Sequence, residues 1–136
     1  MKLPLPAIVA IFASSCAVSG APFERAPQPP DTASIYVYRP YHYGSSLLKP
    51  AVTCGGQSAS IGTGGYHVFV VPTGTVTCTV EGETSDAVTI DADARRYYIR
   101  EEFSWGRLSG HPHLNPVDHD NAHDEIASCC VDQNLR

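Results

Sequence analysis

Most of the chain between residues 33 and 117 alternates between apolar and polar side chains, and this pattern restricts the fold more than any other feature. In the segment SIYVYR, Ile35 and Val37 fall on one face of an extended chain. Tyr36 and Tyr38 fall on the other face. A period of two with β-branched and aromatic residues is typical of strands that turn one face to a core. The pattern therefore predicts a β domain.

Further segments share this alternation, and turn sequences that contain Gly or Pro separate several of them. They are AVTC at 51–54, YHVFVV at 66–71, TVTCTVE at 75–81, AVTI at 87–90 and YYIREEF at 97–103. The sequence VPTG fits a type I turn, with Pro72 in the second position and Gly74 in the fourth. Six to eight short strands at this spacing predict an all-β domain, an antiparallel sandwich or a barrel-like sheet.

One segment near the C-terminus has the spacing of a helix. Ile126 and Cys130 stand four residues apart, on one side of a helix. Asp120 or Asn121 can accept a backbone hydrogen bond at its start, as N-cap residues do. We therefore predict one short helix over residues 122–130.

The first 33 residues differ from the rest and indicate export. Lys2 is followed by an apolar run of 11 residues, Leu3 to Ala13. That length is typical of the hydrophobic region of a signal peptide and is too short to cross a bilayer as a helix. We predict a lipoprotein-type signal peptide over 1–15, a lipidated cysteine and Pro-rich tether over 16–33, and a β domain over 34–136.

Cys16 is the predicted site of lipid attachment. The sequence ASSC that ends at Cys16 resembles a bacterial lipobox, although such boxes usually carry Leu where this chain has Ala13. Ala17 in the next position resembles lipoproteins that are sorted to the outer membrane and face the periplasm. Several acyl chains on one cysteine hold a protein there stably. The alternative is ordinary cleavage after Ala17, which leaves a soluble periplasmic or secreted protein.

The segment after Cys16 is rich in proline and poor in residues that pack into a core. Residues 17–33 read AVSGAPFERAPQPPDTA. Proline-rich chains extend by roughly 3 Å per residue, which gives about 50 Å here. We expect a tether that holds the domain away from the membrane.

Charge limits the classes of partner. The formal net charge is −5, from 9 Lys and Arg residues against 14 Asp and Glu residues. This balance disfavours nucleic acid and anionic lipid headgroups. We expect the membrane as a partner through the lipid anchor, and an unknown envelope protein or polysaccharide.

Four cysteines remain if Cys16 carries lipid, and an even number in an oxidising compartment permits disulfides. Cys54 and Cys78 each share a strand face with valines, so both point to the core and could bond. The alternative is two buried thiols that pack as small hydrophobes. A bond between the adjacent Cys129 and Cys130 would close a strained ring, and the sequence leaves their state open.

The order of these segments resembles a bacterial family of unknown function. The similar pieces are SIYVYRP, a short strand ending in a Gly turn, GGYHVFVVPTGT, RRYYIREEF and a late cysteine. Over about residues 33–130 the chain resembles the domain-of-unknown-function 2846 family, small β-rich proteins that are often described as lipoproteins. It departs from that pattern in the segment HPHLNPVDHDNAHDE and in Cys54 and Cys78. The resemblance implies the fold and an envelope location, and it brings no catalytic residues.

Four histidines form the sharpest candidate for chemistry. His111 and His113 share a face if they lie on a strand, and His119 and His123 stand four apart on the predicted helix. Imidazoles at these spacings can share a zinc or copper ion, with a neighbouring aspartate completing the shell. No complete motif such as H-E-x-x-H is present, so the alternative is a solvated acidic connection. Our first hypothesis has no cofactor, and a metal-binding module is the second.

Tyrosines crowd the sequence YVYRPYHYG. A partner-binding face of Tyr36, Tyr38, Tyr41 and Tyr43 is one hypothesis, because tyrosine combines apolar area with a polar tip and stacks on sugars or protein surfaces. The alternative is that these side chains form cross-strand pairs on the second face of a sheet.

The sequence contains no recognisable catalytic pattern. The segment 104–110, SWGRLSG, lacks the nucleophile-elbow pattern, and TGGYHV lacks the spacing and the lysine of a phosphate loop. Glu101 and Glu102 are neighbours on a strand, so they point to opposite faces and cannot act jointly. We predict a non-catalytic binding or structural protein, with a small hydrolase as a third alternative.

Overall fold

The alternating segments pair into two β-sheets in the computed structural model, which describes residues 23, 25–41, 47–82, 86–105 and 110–132. Within these residues the strands are Thr32–Arg39 (β1), Ala51–Cys54 (β2), Gln57–Ser60 (β3), Gly65–Pro72 (β4), Gly74–Val80 (β5), Asp86–Ala92 (β6), Arg96–Trp105 (β7), Gly110–Val117 (β8) and Val131–Asp132 (β9). A helix, His119–Cys129 (α1), lies between β8 and β9. In this part of the chain, no helix is long and apolar enough to span a bilayer.

One sheet has the strand order β8-β7-β1-β4-β9, and the other has the order β3-β2-β5-β6. The predicted β-sandwich with a short C-terminal helix is therefore confirmed, with nine strands among the described residues where six to eight were predicted. Most neighbouring strands are antiparallel, but β1 is parallel to β7 and β4 is parallel to β9. Because β7 arrives from the other sheet and not through a hairpin, it can lie parallel to β1.

The space between the sheets holds one face of each alternating strand. β1 contributes Ile35 and Val37, and β4 contributes Phe69, all of them fully buried. On the four-stranded sheet, Thr77 and Thr89 face outward, and their hydroxyl groups lie within hydrogen-bonding distance at 3.1 Å. Burial of each large apolar side chain stabilises the fold by about 1.5–3 kcal/mol. The sequence alternation therefore determines which face becomes core.

The opposite face of the five-stranded sheet is covered by α1. The tyrosines on this face are Tyr36, Tyr38, Tyr66 and Tyr98, and the helix contributes Ala122 and Ile126. The Tyr36 and Tyr98 rings stack with centroids 5.2 Å apart. The larger sheet is therefore covered on both faces at its central strand β1, where seven of eight residues are buried.

The helix starts three residues earlier than predicted. Its N-cap is Asp118, whose carboxylate accepts a hydrogen bond from the Asn121 backbone N–H at 3.2 Å. A hydrogen bond from the Asn121 side-chain amide at 2.7 Å, together with this backbone bond, lowers the pKa of Asp118. The predicted caps Asp120 and Asn121 are wrong, because both already lie in the first helical turn.

Part of the predicted tether lies against the domain. The Phe23 ring meets the Tyr66 ring edge-on at a centroid distance of 5.4 Å. The Ala26 N–H donates to the Tyr36 hydroxyl at 3.0 Å, and Arg96 donates to the Ala26 carbonyl at 2.9 Å. The described part of the tether is therefore docked on the face that α1 also covers. The signal peptide and Cys16 lie outside the described residues.

Glu125 connects α1 to the five-stranded sheet. Its carboxylate accepts a hydrogen bond from the Tyr38 hydroxyl at 2.8 Å and forms a salt bridge with Arg100 at 2.7 Å. We expect Glu125→Ala to lower the free energy of unfolding by about 1–2 kcal/mol, because the buried Tyr38 hydroxyl loses its acceptor. The partly exposed ion pair adds little to this value. Urea denaturation measures the change, with the exposed Asp124→Ala on the same helix as the control, and equal losses in the two variants would contradict the role of Glu125.

Candidate functional site

A cleft of about 260 Å³, here called the end cleft, opens at one end of the sandwich where β1 and β7 lie side by side. Its lining residues are Arg39, Pro40, Tyr41, Arg100, Glu101, Glu102 and Phe103. The parallel pairing brings Tyr38 opposite Arg100, so the next residues along the two strands, Arg39 and Glu101, are also neighbours. Both continue the inward-facing positions of their strands. The end cleft therefore has two charged residues at the edge of the core.

Glu101 is buried in the wall of the end cleft. Its side chain is 1% exposed, and its two carboxyl oxygens have no hydrogen-bond partner among the described residues. Leu114, its neighbour on β8, is apolar and buried. A buried carboxyl without donors is costly, and most buried polar groups in folded proteins are paired. This exception marks the end cleft as a place where a ligand can supply the missing donors.

Arg39 is the second buried charge, with 1% exposure. Its Nη1 atom donates to the carbonyl oxygen of Ile61 at 3.0 Å and to the carbonyl oxygen of Leu48. Its guanidinium group lies 4.3 Å from the centroid of the Phe103 ring, within the range of a cation–π contact. Arg39 is therefore held firmly beside Glu101.

Burial raises the pKa of Glu101 to about 7, and the positive charge of Arg39 limits the rise. Burial also lowers the pKa of Arg39, and the charge of Glu101 opposes that change. The dominant cause for both groups is the loss of water around the charged form. Glu101 therefore exchanges its proton near neutral pH, and such shifts in a cleft are typical of functional sites.

The remaining lining adds a balanced pair of charges and two aromatic rings. Arg100 and Glu102 form an ion pair, and Glu102 also accepts a hydrogen bond from the Asn115 amide at 2.7 Å. Tyr41 is 64% exposed at the rim, and Phe103 lies beneath the Arg39 guanidinium. With Glu101 ionised, the two arginines and two glutamates of the lining sum to no net charge.

The described residues also line two other depressions. A groove of about 490 Å³ is lined in part by Tyr98 and His119, and the buried Tyr98 hydroxyl has no hydrogen-bond partner among the described residues. A depression of about 360 Å³ shares Phe103 with the end cleft and includes Leu48. An unpaired hydroxyl is less costly than an unpaired carboxyl. The end cleft is therefore the stronger candidate.

The predicted tyrosine face is largely interior. Tyr36 and Tyr38 are fully buried beneath α1, so they cannot form a surface for a partner. This corrects the hypothesis, because the helix covers the face that those residues share. Tyr41 is exposed and belongs to the end cleft. Tyr43 lies outside the described residues.

The four histidines are divided between two elements. His111 and His113 lie on β8, where His113 Nε2 is 2.7 Å from the Ser104 hydroxyl. His119 and His123 lie on α1 with parallel rings and centroids 6.5 Å apart. In the part of the chain that the structure describes, no three His, Cys, Asp or Glu side chains are grouped to hold a metal ion. The predicted zinc or copper site is therefore not assembled among the described residues, where one histidine pair lies on β8 and the other on α1.

The four cysteines outside the leader form two pairs at bonding distance. Cys54 and Cys78 face each other across β2 and β5, with sulphur atoms 2.12 Å apart. This agrees with the pairing that their inward positions predict. Cys129 and Cys130 also lie at bonding distance, with 1.86 Å between their sulphurs. Cys130 follows the helix, and its N–H donates to the Ile126 carbonyl at 3.0 Å.

Comparison of the chain with protein-family models, with curated proteins and with solved structures finds no match. The resemblance to the domain-of-unknown-function 2846 family stays a prediction. Fold alone does not determine function, which depends on the residues of the site.

The sequence signal for the end cleft is a charged residue at an inward-facing position of each of two strands. Arg39 shares the inward positions of β1 with Val37, and Glu101 shares those of β7 with Ile99. A charged residue in the apolar phase of a strand is unusual, because ionised groups are rarely fully buried unless paired. The opposite orientations of Glu101 and Glu102 were predicted correctly, since Glu101 lies in the interior and Glu102 pairs with the outward-facing Arg100.

Proposed function

We propose that the protein is an exported lipoprotein of the bacterial envelope that works by binding, without catalysis, through the end cleft. The observation that carries this proposal is the buried Glu101 carboxyl, whose two oxygens have no partner among the described residues. Such a group is stabilised when a ligand donates hydrogen bonds to it. A ligand-binding role therefore explains why a buried carboxyl that is costly to the fold occupies position 101.

The geometry of the carboxylates favours binding over hydrolysis. A pair of acidic residues that cleaves a glycosidic bond flanks that bond from two sides. Glu101 and Glu102 project from opposite faces of β7, and Glu102 is engaged by Arg100 and Asn115. Glu101 and Glu102 therefore cannot flank one glycosidic bond as a catalytic pair of carboxylates would.

The paired cysteines support an envelope location. Disulfides form and persist in oxidising compartments, and cytosolic proteins seldom keep them. Cys54 and Cys78 lie at bonding distance in the core, which fits a chain exported through the predicted leader. An outer-membrane anchor on Cys16 completes this proposal.

The intact mass of the protein recovered from membranes tests the location. We expect a chain that begins at Cys16, carries the added mass of acyl groups and gains four alkylated thiols only after reduction. A Cys16→Ala variant provides the control, since it is expected to leave the membrane fraction. A chain that begins at Val18 without lipid would contradict the anchor and indicate a soluble protein.

A further inference from the structure

We propose that the end cleft binds a neutral sugar ring, with the Glu101 carboxylate accepting hydrogen bonds from the sugar hydroxyls. This inference rests on the binding function proposed above and adds the chemical class of the ligand. The ring is either a free sugar or one unit of an envelope glycan, and the experiment below separates these sources.

Glu101 sets the first requirement, which is a ligand rich in hydrogen-bond donors. An ionised carboxylate offers about four lone-pair sites on two oxygens. None of them is used by the described residues. Because the oxygens are buried, the carboxyl has to turn toward the ligand, and the new hydrogen bonds drive that rotation. Neighbouring hydroxyls on one ring are spaced to occupy both oxygens.

The charges around the end cleft set the second requirement, which is a ligand without net charge. Arg39 lies close enough to lower the pKa of Glu101, so its positive charge also repels an ammonium group. The Glu101 and Glu102 carboxylates likewise repel a phosphate or carboxylate, and with Arg39 and Arg100 in the same lining the site offers no surplus of charge to either kind of ion. Like charges brought together in a poorly hydrated site are strongly unfavourable. A neutral polyhydroxyl ligand avoids both penalties.

The aromatic lining and the size of the cleft complete the match. Tyr41 is exposed at the rim and offers a flat apolar surface with a polar tip. About 260 Å³ is slightly below the usual range of ligand pockets, so one ring fits and a larger ligand does not. The adjoining depression of about 360 Å³ beyond Phe103 can accept a second ring. The site is therefore shaped for the end or edge of a glycan chain.

Isothermal titration calorimetry of the purified full chain tests this inference. The neutral probes are glucose, N-acetylglucosamine and the N-acetylglucosamine disaccharide, and the charged probes are ethanolamine and glucuronate. We expect saturable binding of at least one neutral sugar and no binding of the charged probes. A disaccharide that binds more tightly than its monosaccharide indicates a glycan source, and equal affinities indicate a free sugar.

Variants connect the binding to the end cleft. Glu101→Gln is expected to weaken sugar binding about tenfold, since it replaces the charged acceptor by a weaker one. Tyr41→Ala removes exposed surface only, so it preserves the fold and is expected to weaken binding about threefold. Asp91→Asn is the control, because Asp91 is exposed on the four-stranded sheet. Equal sugar affinity in the wild type and Glu101→Gln would overturn the inference.

The possible failures are distinguishable. If no neutral sugar binds while Cys16 is found acylated, the sugar inference is wrong and the envelope location stands. If ethanolamine binds and Glu101→Gln abolishes that binding, the end cleft is functional but its ligand class is wrong. If sugars bind to a chain without lipid, the site is correct and the proposed anchor is wrong.

Discussion

Glu101→Gln is expected to raise the free energy of unfolding at pH 8 by about 3 kcal/mol and to leave it nearly unchanged near pH 4. The reason is that burial raises the pKa of Glu101 to about 7 from the ordinary value of 4.5. At pH 8 the Glu101 carboxylate of the wild type is ionised and buried in the folded chain. It is better solvated in the unfolded chain, so its charge lowers the free energy of unfolding. Glutamine has the same shape and never ionises, so the variant avoids this cost.

The sign of the pH dependence follows from the raised pKa. Between about pH 4.5 and 7 the folded chain binds more protons at Glu101 than the unfolded chain does. The stability of the wild type therefore falls as pH rises through this window, and the contribution of Glu101 stays constant above it. Arg39 remains charged throughout and reduces the size of the effect without reversing it.

Urea denaturation at pH 4, 5, 6, 7 and 8 measures this difference between the two chains. Titratable groups other than Glu101 affect the unfolding free energy of both chains in the same way, so their contributions largely cancel in the difference. Asp91→Asn removes an exposed carboxylate and serves as the control for the loss of one charge. Parallel pH profiles for the wild type and Glu101→Gln would show that the carboxyl is hydrated in the folded chain.

Replacing Cys54 and Cys78 together by alanine is expected to lower the free energy of unfolding by about 3 kcal/mol. The two residues are separated by 24 positions, and a bond across a loop of that size removes much of the conformational freedom of the unfolded chain. Both side chains are fully buried, so lost packing adds to the effect.

Replacing Cys129 and Cys130 together by alanine is the matched control for the loss of one cysteine pair. These residues are adjacent, so a bond between them constrains the unfolded chain very little. Urea denaturation with and without reductant compares the variants. Reductant is expected to destabilise the wild type by about 3 kcal/mol and to leave the Cys54/Cys78 variant unchanged. A wild type that is insensitive to reductant would show that Cys54 and Cys78 are packed thiols.

Local alternation was sufficient to predict β1, β2 and β4 to β7 and the direction of their side chains, but it did not predict β3 or β9. The inward positions of Cys54 and Cys78 followed from it, because a residue two positions from a core valine shares its face. The burial of Tyr36 and Tyr38 could not follow, since tyrosine suits both a covered and an exposed face. Only the packing of α1 decides between them.

Contacts between distant segments account for most of what the sequence could not predict. The end cleft depends on the parallel pairing of β1 with β7, which brings Arg39 beside Glu101 across 62 positions of sequence. Nothing in either segment alone specifies that partner. The four histidines illustrate the converse, because a favourable local spacing did not bring the two pairs together.

The docked N-terminal segment limits how far the domain can work from a lipid anchor. Phe23 and Ala26 are held on the domain, so only the seven residues from Cys16 to Pro22 separate an acylated Cys16 from its surface. Fully extended, seven residues span about 25 Å. Under the proposed acylation of Cys16, the domain would stay within about 25 Å of the bilayer, in place of the roughly 50 Å expected for a fully extended tether. Its partners would then be molecules at the membrane surface.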